Sequence, residues 1–194
     1  MRFLLKTLLL LSALTLMSAM AVAEPAPNAE MVKTAKGAMT PLVKLDTFWS
    51  QPGESKNDFL MRVAAYMQSY TYFKQFEACG GIWENPDHTR WAVPLGTIEA
   101  QMSCLFSAHG PADDSGTPWT YSGETIHSHP RQDRLKANAV DVLMGPFILG
   151  DVVSNQRRKF SPGDLAAGPG YLVAGRQLQY QRDGGKVHAV IGSL

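Results

Sequence analysis

The stretch WTYSGETIHSHP, Trp119 to Pro130, is typical of a β-strand. It is rich in aromatic and β-branched residues, and Pro130 ends it because proline donates no hydrogen bond to a neighbouring strand. Side chains two positions apart on a strand point the same way, so His127 and His129 present their imidazoles toward one point. This pair among five histidines is therefore a candidate for metal binding. The alternative is two surface histidines at the end of a strand.

The segments around this strand predict an α+β fold. Ser55 and Asp58 form a helix-start pattern. Apolar residues then follow at helical spacing, at Phe59, Val63, Tyr66, Met67, Tyr70 and Phe73. Further strands are predicted over FEACGGIWEN (76–85), TRWAVPLGT (89–97) and IEAQMSCLFSA (98–108). KFSPGDLAAGPG (159–170) predicts a short helical turn, and residues 170–194 predict a hairpin. One long helix, a short one and mostly antiparallel strands indicate an α+β sandwich.

The first 23 residues predict a secretory signal peptide. Arg2 and Lys6 precede or flank an apolar run that ends in Ala21-Val22-Ala23. A membrane anchor is the alternative, but it needs about 20 uninterrupted apolar residues, and polar residues break this run at positions 12, 15 and 18. We predict cleavage after Ala23 and export to the periplasm or beyond, with no stable membrane anchor. Residues 24–50 predict a linker or N-terminal arm, and residues 51–194 the folded domain.

Charge and cysteine content restrict the partners and the redox state. The chain has 18 basic and 17 acidic residues, and the predicted leader holds two of the basic ones, so the mature net charge is −1. This argues against nucleic acid as the main partner, because nucleic acid selects clustered positive charge. The two cysteines, Cys79 and Cys104, are predicted to form a disulfide, since an exported protein meets an oxidising compartment.

Other residues complete a possible hydrolytic metal site. Such a site needs three protein ligands, an open position for water and a base that does not bind the metal. Asp164 can supply a carboxylate as the third ligand, and Ser161 precedes it by one helical turn. Glu77 lies in an otherwise apolar strand and is the candidate base. The alternative for Glu77 is a carboxylate at a strand end that faces solvent.

Together these residues resemble the motif of the JAMM (MPN-plus) zinc metallopeptidases. That pattern is a glutamate after the first helix, then H-[ST]-H-P, then S-x-x-D. Its counterparts here are Glu77, His127-Ser128-His129-Pro130 and Ser161-Pro162-Gly163-Asp164, in the same order. The resemblance covers about residues 58–181. It implies a cytidine-deaminase-like fold, with a mixed and mostly antiparallel sheet flanked by helices.

The spacing between the motifs departs from the family pattern. Between His129 and Ser161 lie 31 residues, where the family usually has a short gap. The insertion, residues 131–160, is a candidate flap over the site. It also introduces Asp133, Asp141 and Asp151, which compete with Asp164 for the role of third ligand. We favour Asp164 because a serine precedes it at the right spacing.

The resemblance implies metal-assisted amide hydrolysis. One zinc ion per chain would be held by His127, His129 and Asp164, with Glu77 as base and Ser161 as hydrogen-bond donor to the oxyanion. The implied substrate is a peptide or protein, and export favours a peptide cross-link of peptidoglycan or another exported protein. The alternative function is a non-catalytic module that binds a partner through the insertion.

Overall fold

Eight strands form one sheet, and a separate two-stranded ribbon and three helices accompany it. A computed structural model describes residues 29–111, 116, 118–155, 158–182 and 186–194. The strands are β1 (Ala29–Lys33), β2 (Met39–Trp49), β3 (Cys79–Glu84), β4 (Trp91–Thr97), β5 (Thr120–Ser128), β6 (Arg134–Lys136), β7 (Val152–Ser154), β8 (Gly170–Ala174), β9 (Gln177–Arg182) and β10 (Lys186–Ser193). The helices are α1 (Lys56–Lys74), α2 (Ala139–Met144) and α3 (Pro162–Ala166). The predicted α+β class with a mostly antiparallel sheet is confirmed.

Strand β5 lies in the interior of the sheet. The strand order is β1-β2-β4-β3-β5-β8-β9-β10, and β6 pairs with β7. Strands β5 and β8 run parallel, whereas the other neighbouring pairs are antiparallel. The chain between β5 and β8 holds α2, the ribbon and α3. The carboxyl ends of β5 and β8 therefore lie side by side at the same end of the sheet. Side chains of both strands and of the connection between them can meet there.

Helix α1 begins and packs as its sequence pattern predicts. The Ser55 hydroxyl accepts a hydrogen bond from the Asp58 N–H at 3.2 Å, which satisfies a free backbone donor in the first turn. The fully buried side chains of the helix are Phe59, Leu60, Val63, Ala64 and Met67. The prediction of Phe73 in the core was wrong. Phe73 is 76% exposed, because it lies to one side of the helix face that the buried residues form.

The two faces of the sheet are covered by different elements. On β8, Tyr171 and Val173 pack with the helix α1 core, whereas Leu172 packs with Phe160 and with Leu165 of α3. This follows from the alternation of side chains along a strand. One face thus packs on α1 and the other faces α3. A side chain on β5 is directed toward α1 or toward α3 according to its position in this alternation.

Two segments differ from their predictions. Within the predicted linker or N-terminal arm, residues 29–49 form part of the main sheet, because β1 pairs with β2 and β2 pairs with β4. Residues 98–108 form irregular loop where we predicted a strand. A side chain from another segment instead fixes this loop. The Asp141 carboxylate accepts hydrogen bonds from the backbone N–H groups of Gln101 and Met102.

The insertion forms a small unit of its own. Strands β6 and β7 pair antiparallel, and the Asn155 amide at their base donates to the carbonyls of Pro130 and Gln132. Helix α2 lies between the two strands. Its buried Asp141 also accepts a hydrogen bond from Asn138 N–H in a capping box. Val140 of α2 packs against the small cluster that includes Leu42 and Ile98. The insertion is therefore anchored to the body of the protein through α2.

None of the helices in the described part of the chain combines the length and apolarity that a membrane crossing requires. The predicted signal peptide, residues 1–23, lies outside the described residues.

The predicted disulfide between Cys79 and Cys104 is present, with a Cα–Cα distance of 6.1 Å. It joins the first residue of β3 to the irregular loop after β4, across a sequence separation of 25. The bridge therefore holds this loop against the strand that follows Glu77.

Reducing the disulfide is expected to lower the free energy of unfolding by about 3 kcal/mol, because the bridge restricts the unfolded chain through the loop it closes. Urea unfolding with and without dithiothreitol measures this difference. A Cys104→Ser variant serves as the control, since it should already have the lower stability and should not respond to the reductant. Equal stability of the oxidised and reduced protein would contradict the prediction.

Candidate metal centre

The end of strand β5 presents two buried imidazoles on the α3 side of the sheet. His127 is the next-to-last residue of β5, and His129 follows the strand. Each is 8% exposed, and their ring centroids lie 5.1 Å apart. The backbone here is held from both sides. Ser128 N–H donates to the carbonyl of Ala78, and His129 N–H donates to the carbonyl of Val173 on β8. The prediction that the two imidazoles share one side is confirmed.

Ser128, between the two histidines, points toward α1. Its hydroxyl is buried, lies 2.6 Å from the hydroxyl of Thr71 and accepts a hydrogen bond from Ala78 N–H at 3.1 Å. Ala78 directly follows Glu77. The strand that carries the histidines is therefore tied both to α1 and to the segment that carries the glutamate. The sequence analysis did not identify Thr71, and no local pattern points to it.

Asp164 reaches the histidines from the first turn of α3. Ser161 caps this helix: its hydroxyl accepts from Asp164 N–H, and the Asp164 carboxylate accepts from Ser161 N–H. Pro162 occupies the first turn, where its fixed φ suits a helix start. Asp164 Oδ1 lies 3.3 Å from His127 Nε2, and Oδ2 lies 3.3 Å from His129 Nε2. The capping box thus fixes the carboxylate between the two rings.

These three side chains could hold a metal ion. One potential ligand atom from each of His127, His129 and Asp164 lies within 4.8 Å of the others. In a tetrahedral site with metal–ligand bonds of about 2.0–2.1 Å, ligand atoms lie about 3.4 Å apart, close to the 3.3 Å separations here. His127 Nε2 is buried, and its 3.3 Å contact with Asp164 Oδ1 is an ion-pair contact rather than an aligned hydrogen bond. A cation between the rings and the carboxylate would satisfy that nitrogen.

The aspartates of the insertion lie elsewhere. Asp141 is fully buried, but its carboxylate is occupied by backbone N–H groups of the loop after β4 and of α2. Asp133 and Asp151 are exposed. Of the four aspartates considered, the structure brings Asp164 to the histidines, as we predicted.

Glu77 is buried beside the three side chains. It is 5% exposed, and its Oε1 lies 3.9 Å from His129 Nε2. The alternative of a solvent-facing carboxylate was therefore wrong. Glu77 lies just before β3 rather than within a strand, and its backbone is fixed by hydrogen bonds to the carbonyl of Ala100 and from the hydroxyl of Thr97.

Burial and charge shift the titration of these groups in different directions. Burial raises the pKa of Glu77 to about 8, and His129 opposes this shift. Burial lowers the pKa of His127, which favours the neutral imidazole that binds metals. Burial opposes ionisation of Asp164, but the two imidazoles outweigh it and hold the pKa of Asp164 well below its usual range. These shifts favour a neutral imidazole at His127 and an ionised carboxylate at Asp164.

Comparison of the chain with known protein families, curated proteins and solved structures finds no match.

Proposed function

We propose that this chain is an exported zinc-dependent peptidase of the JAMM type that hydrolyses an amide bond. The observation that carries the proposal is the convergence of His127, His129 and Asp164 on one point, with the buried carboxyl of Glu77 beside them. Two imidazoles and a carboxylate suit zinc, and three protein ligands leave a position open for water. With a metal bound, the arrangement would supply both parts of a hydrolytic site, ligands and base.

Zinc bound there would polarise a substrate carbonyl and lower the pKa of a coordinated water to about 7. Glu77 would accept the proton of the attacking water and deliver it to the leaving amine. A carboxyl with a pKa of about 8 in the absence of a cation is poised near neutral pH, and a divalent cation nearby favours its ionised, proton-accepting form. Its fixed backbone keeps the carboxyl in place for both transfers.

Ser161 would stabilise the oxyanion that develops on the scissile carbonyl. As helix cap, its hydroxyl oxygen accepts a hydrogen bond from Asp164 N–H, which leaves the hydroxyl proton available to a substrate. The side chain is only half-buried, so a substrate can reach it. The serine thus has two roles, in positioning the aspartate and in donating to the substrate.

Replacing Ser161 by alanine is expected to lower kcat at least 100-fold through the lost oxyanion donor, and to destabilise the protein by about 1 kcal/mol through the lost cap. The matched control is Ser55→Ala, which removes the equivalent cap of α1 far along the chain. It should show a similar loss of stability with little change in kcat. Ser161→Thr, which keeps the hydroxyl, should restore most of the activity. Equal effects of Ser161→Ala and Ser55→Ala on kcat would remove Ser161 from the mechanism.

The substrate class we propose is a peptide cross-link of peptidoglycan or a peptide bond in an exported protein. Its support is the predicted export signal, together with a disulfide, which suits an oxidising compartment. The direct test combines zinc analysis of the purified protein with mass spectrometry of cross-linked muropeptides and unfolded protein substrates after incubation. We expect about one zinc per chain and cleavage that a chelator abolishes. Absence of zinc, even after incubation with the metal, would overturn the proposal.

A second candidate function is a partner-binding module without catalysis. The observation in its favour is an apolar surface on the insertion: Ile148, Leu149 and Val152 are 69%, 67% and 55% exposed. Exposed apolar side chains grouped this closely in the chain can mark an interaction surface. The two functions differ in their dependence on Glu77, because binding through the insertion does not require that carboxyl.

A further inference from the structure

A positively charged groove lies at the end of the sheet where β5 carries the histidines. It has a volume of about 810 Å³ and lies between the C-terminal half of α1, the end of β5 and the turn between β8 and β9. His129 forms part of its wall. Because β5 and β8 are parallel, the residues that follow both strands meet here. We call this feature, which includes Arg131, Arg158 and Arg176, the arginine groove.

Three arginines line the arginine groove, and no acidic residue is among its lining residues. They come from separate parts of the chain: Arg131 begins the insertion, Arg158 lies near its end and Arg176 lies in the β8–β9 turn. The full chain has nearly equal numbers of basic and acidic residues. Three like charges around one groove depart from this average and create a positive potential there, which attracts anions.

Each arginine is held at the groove by a separate contact. The Arg131 guanidinium lies 5.1 Å from the ring centroid of Tyr72, an exposed aromatic side chain of α1. The carbonyl of Arg158 accepts a hydrogen bond from the buried Gln179 amide at 3.0 Å. Arg176 Nε donates to the backbone oxygen of Leu194 at 3.1 Å. These contacts leave guanidinium N–H donors of Arg176 for a further partner, since the group has five.

We propose that the arginine groove binds a carboxylate of the peptide substrate and so places the neighbouring amide bond at the metal centre. This inference rests on the proposed peptidase function. The anionic groups that a peptide offers are its C-terminal carboxylate and acidic side chains, and guanidinium groups bind carboxylates with paired, charge-assisted hydrogen bonds. The groove thus selects substrates with a carboxylate close to the scissile bond.

The test measures binding rather than hydrolysis. Metal-free protein is titrated with acetyl-Ala-Ala and with its C-terminal amide, and the backbone amide signals of Gly175 and Arg176 are followed by NMR. Metal-free protein is used because a bound cation could itself attract the carboxylate. We expect the free acid to bind at least 10-fold more tightly than the amide, with a preference that weakens as salt concentration rises. A third peptide, acetyl-Ala-Glu-amide, distinguishes a side-chain carboxylate from a terminal one.

Two variants test whether the preference for the free acid over the amide depends on the arginine groove. The double variant Arg158→Ala/Arg176→Ala should bind the acid no better than the amide. Lys159→Ala is the matched control, because Lys159 is an exposed basic neighbour of Arg158 that does not line the groove, and it should retain the preference. The substituted side chains of the double variant are exposed, so it should fold.

The outcomes separate this inference from the proposed function. Equal binding of acid and amide by the unmodified protein, or an unchanged preference in the double variant, would overturn the carboxylate site even if the protein hydrolyses peptides. A carboxylate preference that depends on Arg158 and Arg176 would support it. If the same protein then showed no zinc and no hydrolysis, the peptidase proposal alone would fail.

Discussion

A Glu77→Gln variant is expected to lose hydrolytic activity by a factor of about 10² to 10⁴ while it keeps its zinc. Glutamine has nearly the same shape as glutamate but cannot accept the proton of the attacking water, and a positioned base typically contributes a factor of this size. Zinc is retained because Glu77 is not part of the ligand group formed by His127, His129 and Asp164. The measurements are kcat on a cleaved peptide and zinc content of the same preparation.

The control for this variant is Glu99→Gln, which makes the same chemical change at an exposed carboxyl. Its kcat and zinc content should match those of the unmodified protein. Burial of Glu77 also predicts that the glutamine variant is not less stable, because a neutral amide costs less to bury than a carboxylate. An unchanged kcat in Glu77→Gln would remove the proposed base and favour the partner-binding function.

A His129→Ala variant is expected to lose both zinc and activity. Removing one of three protein ligands leaves only His127 and Asp164, and two ligands do not hold zinc firmly against exchange with solvent. Zinc content should fall from about one per chain to near zero after dialysis against a weak chelator. In the unmodified protein, zinc should also raise the melting temperature, because an ion that binds only the folded state stabilises that state.

His109→Ala is the matched control for the loss of an imidazole, because the His109 side chain is 85% exposed and lies outside the ligand group. It should retain zinc, activity and the stabilisation by zinc. Circular dichroism of His129→Ala in the absence of metal tests whether the buried substitution unfolds the protein. A folded His129→Ala variant with a full complement of zinc would contradict the assignment of the metal centre.

Local patterns accounted for the elements that carry the site. Ser55 and Ser161 each start a helix because a hydroxyl satisfies a free backbone donor three residues later, and this chemistry is visible in the sequence. The same is true of His127 and His129, because alternation along a strand is a property of extended backbone itself. The family resemblance added the pairing of these motifs with Glu77, which no periodicity in the chain predicts.

The errors arose where structure depends on distant partners. Residues 29–49 have no clear period, yet they form β1 and β2 because β4 offers an edge for pairing. Residues 98–108 contain enough apolar residues for a strand, but the disulfide and the Asp141 carboxylate hold them as a loop. In both cases the decisive hydrogen bonds join segments that are far apart in the chain.

Short-range information in the chain thus specified the helix caps, the paired histidines and the capped aspartate, since each depends on residues within one turn or one strand. The tertiary structure decided which carboxylate meets the histidines, the burial of Glu77 and the meeting of three arginines in one groove. The serine before Asp164 favoured it over Asp141 in the sequence, but both aspartates lie in capping boxes, so the cap alone does not bring either to the histidines. Packing of α3 against one face of the sheet and of α2 against the loop after β4 separates their roles, because only long-range burial determines which side chains share a site.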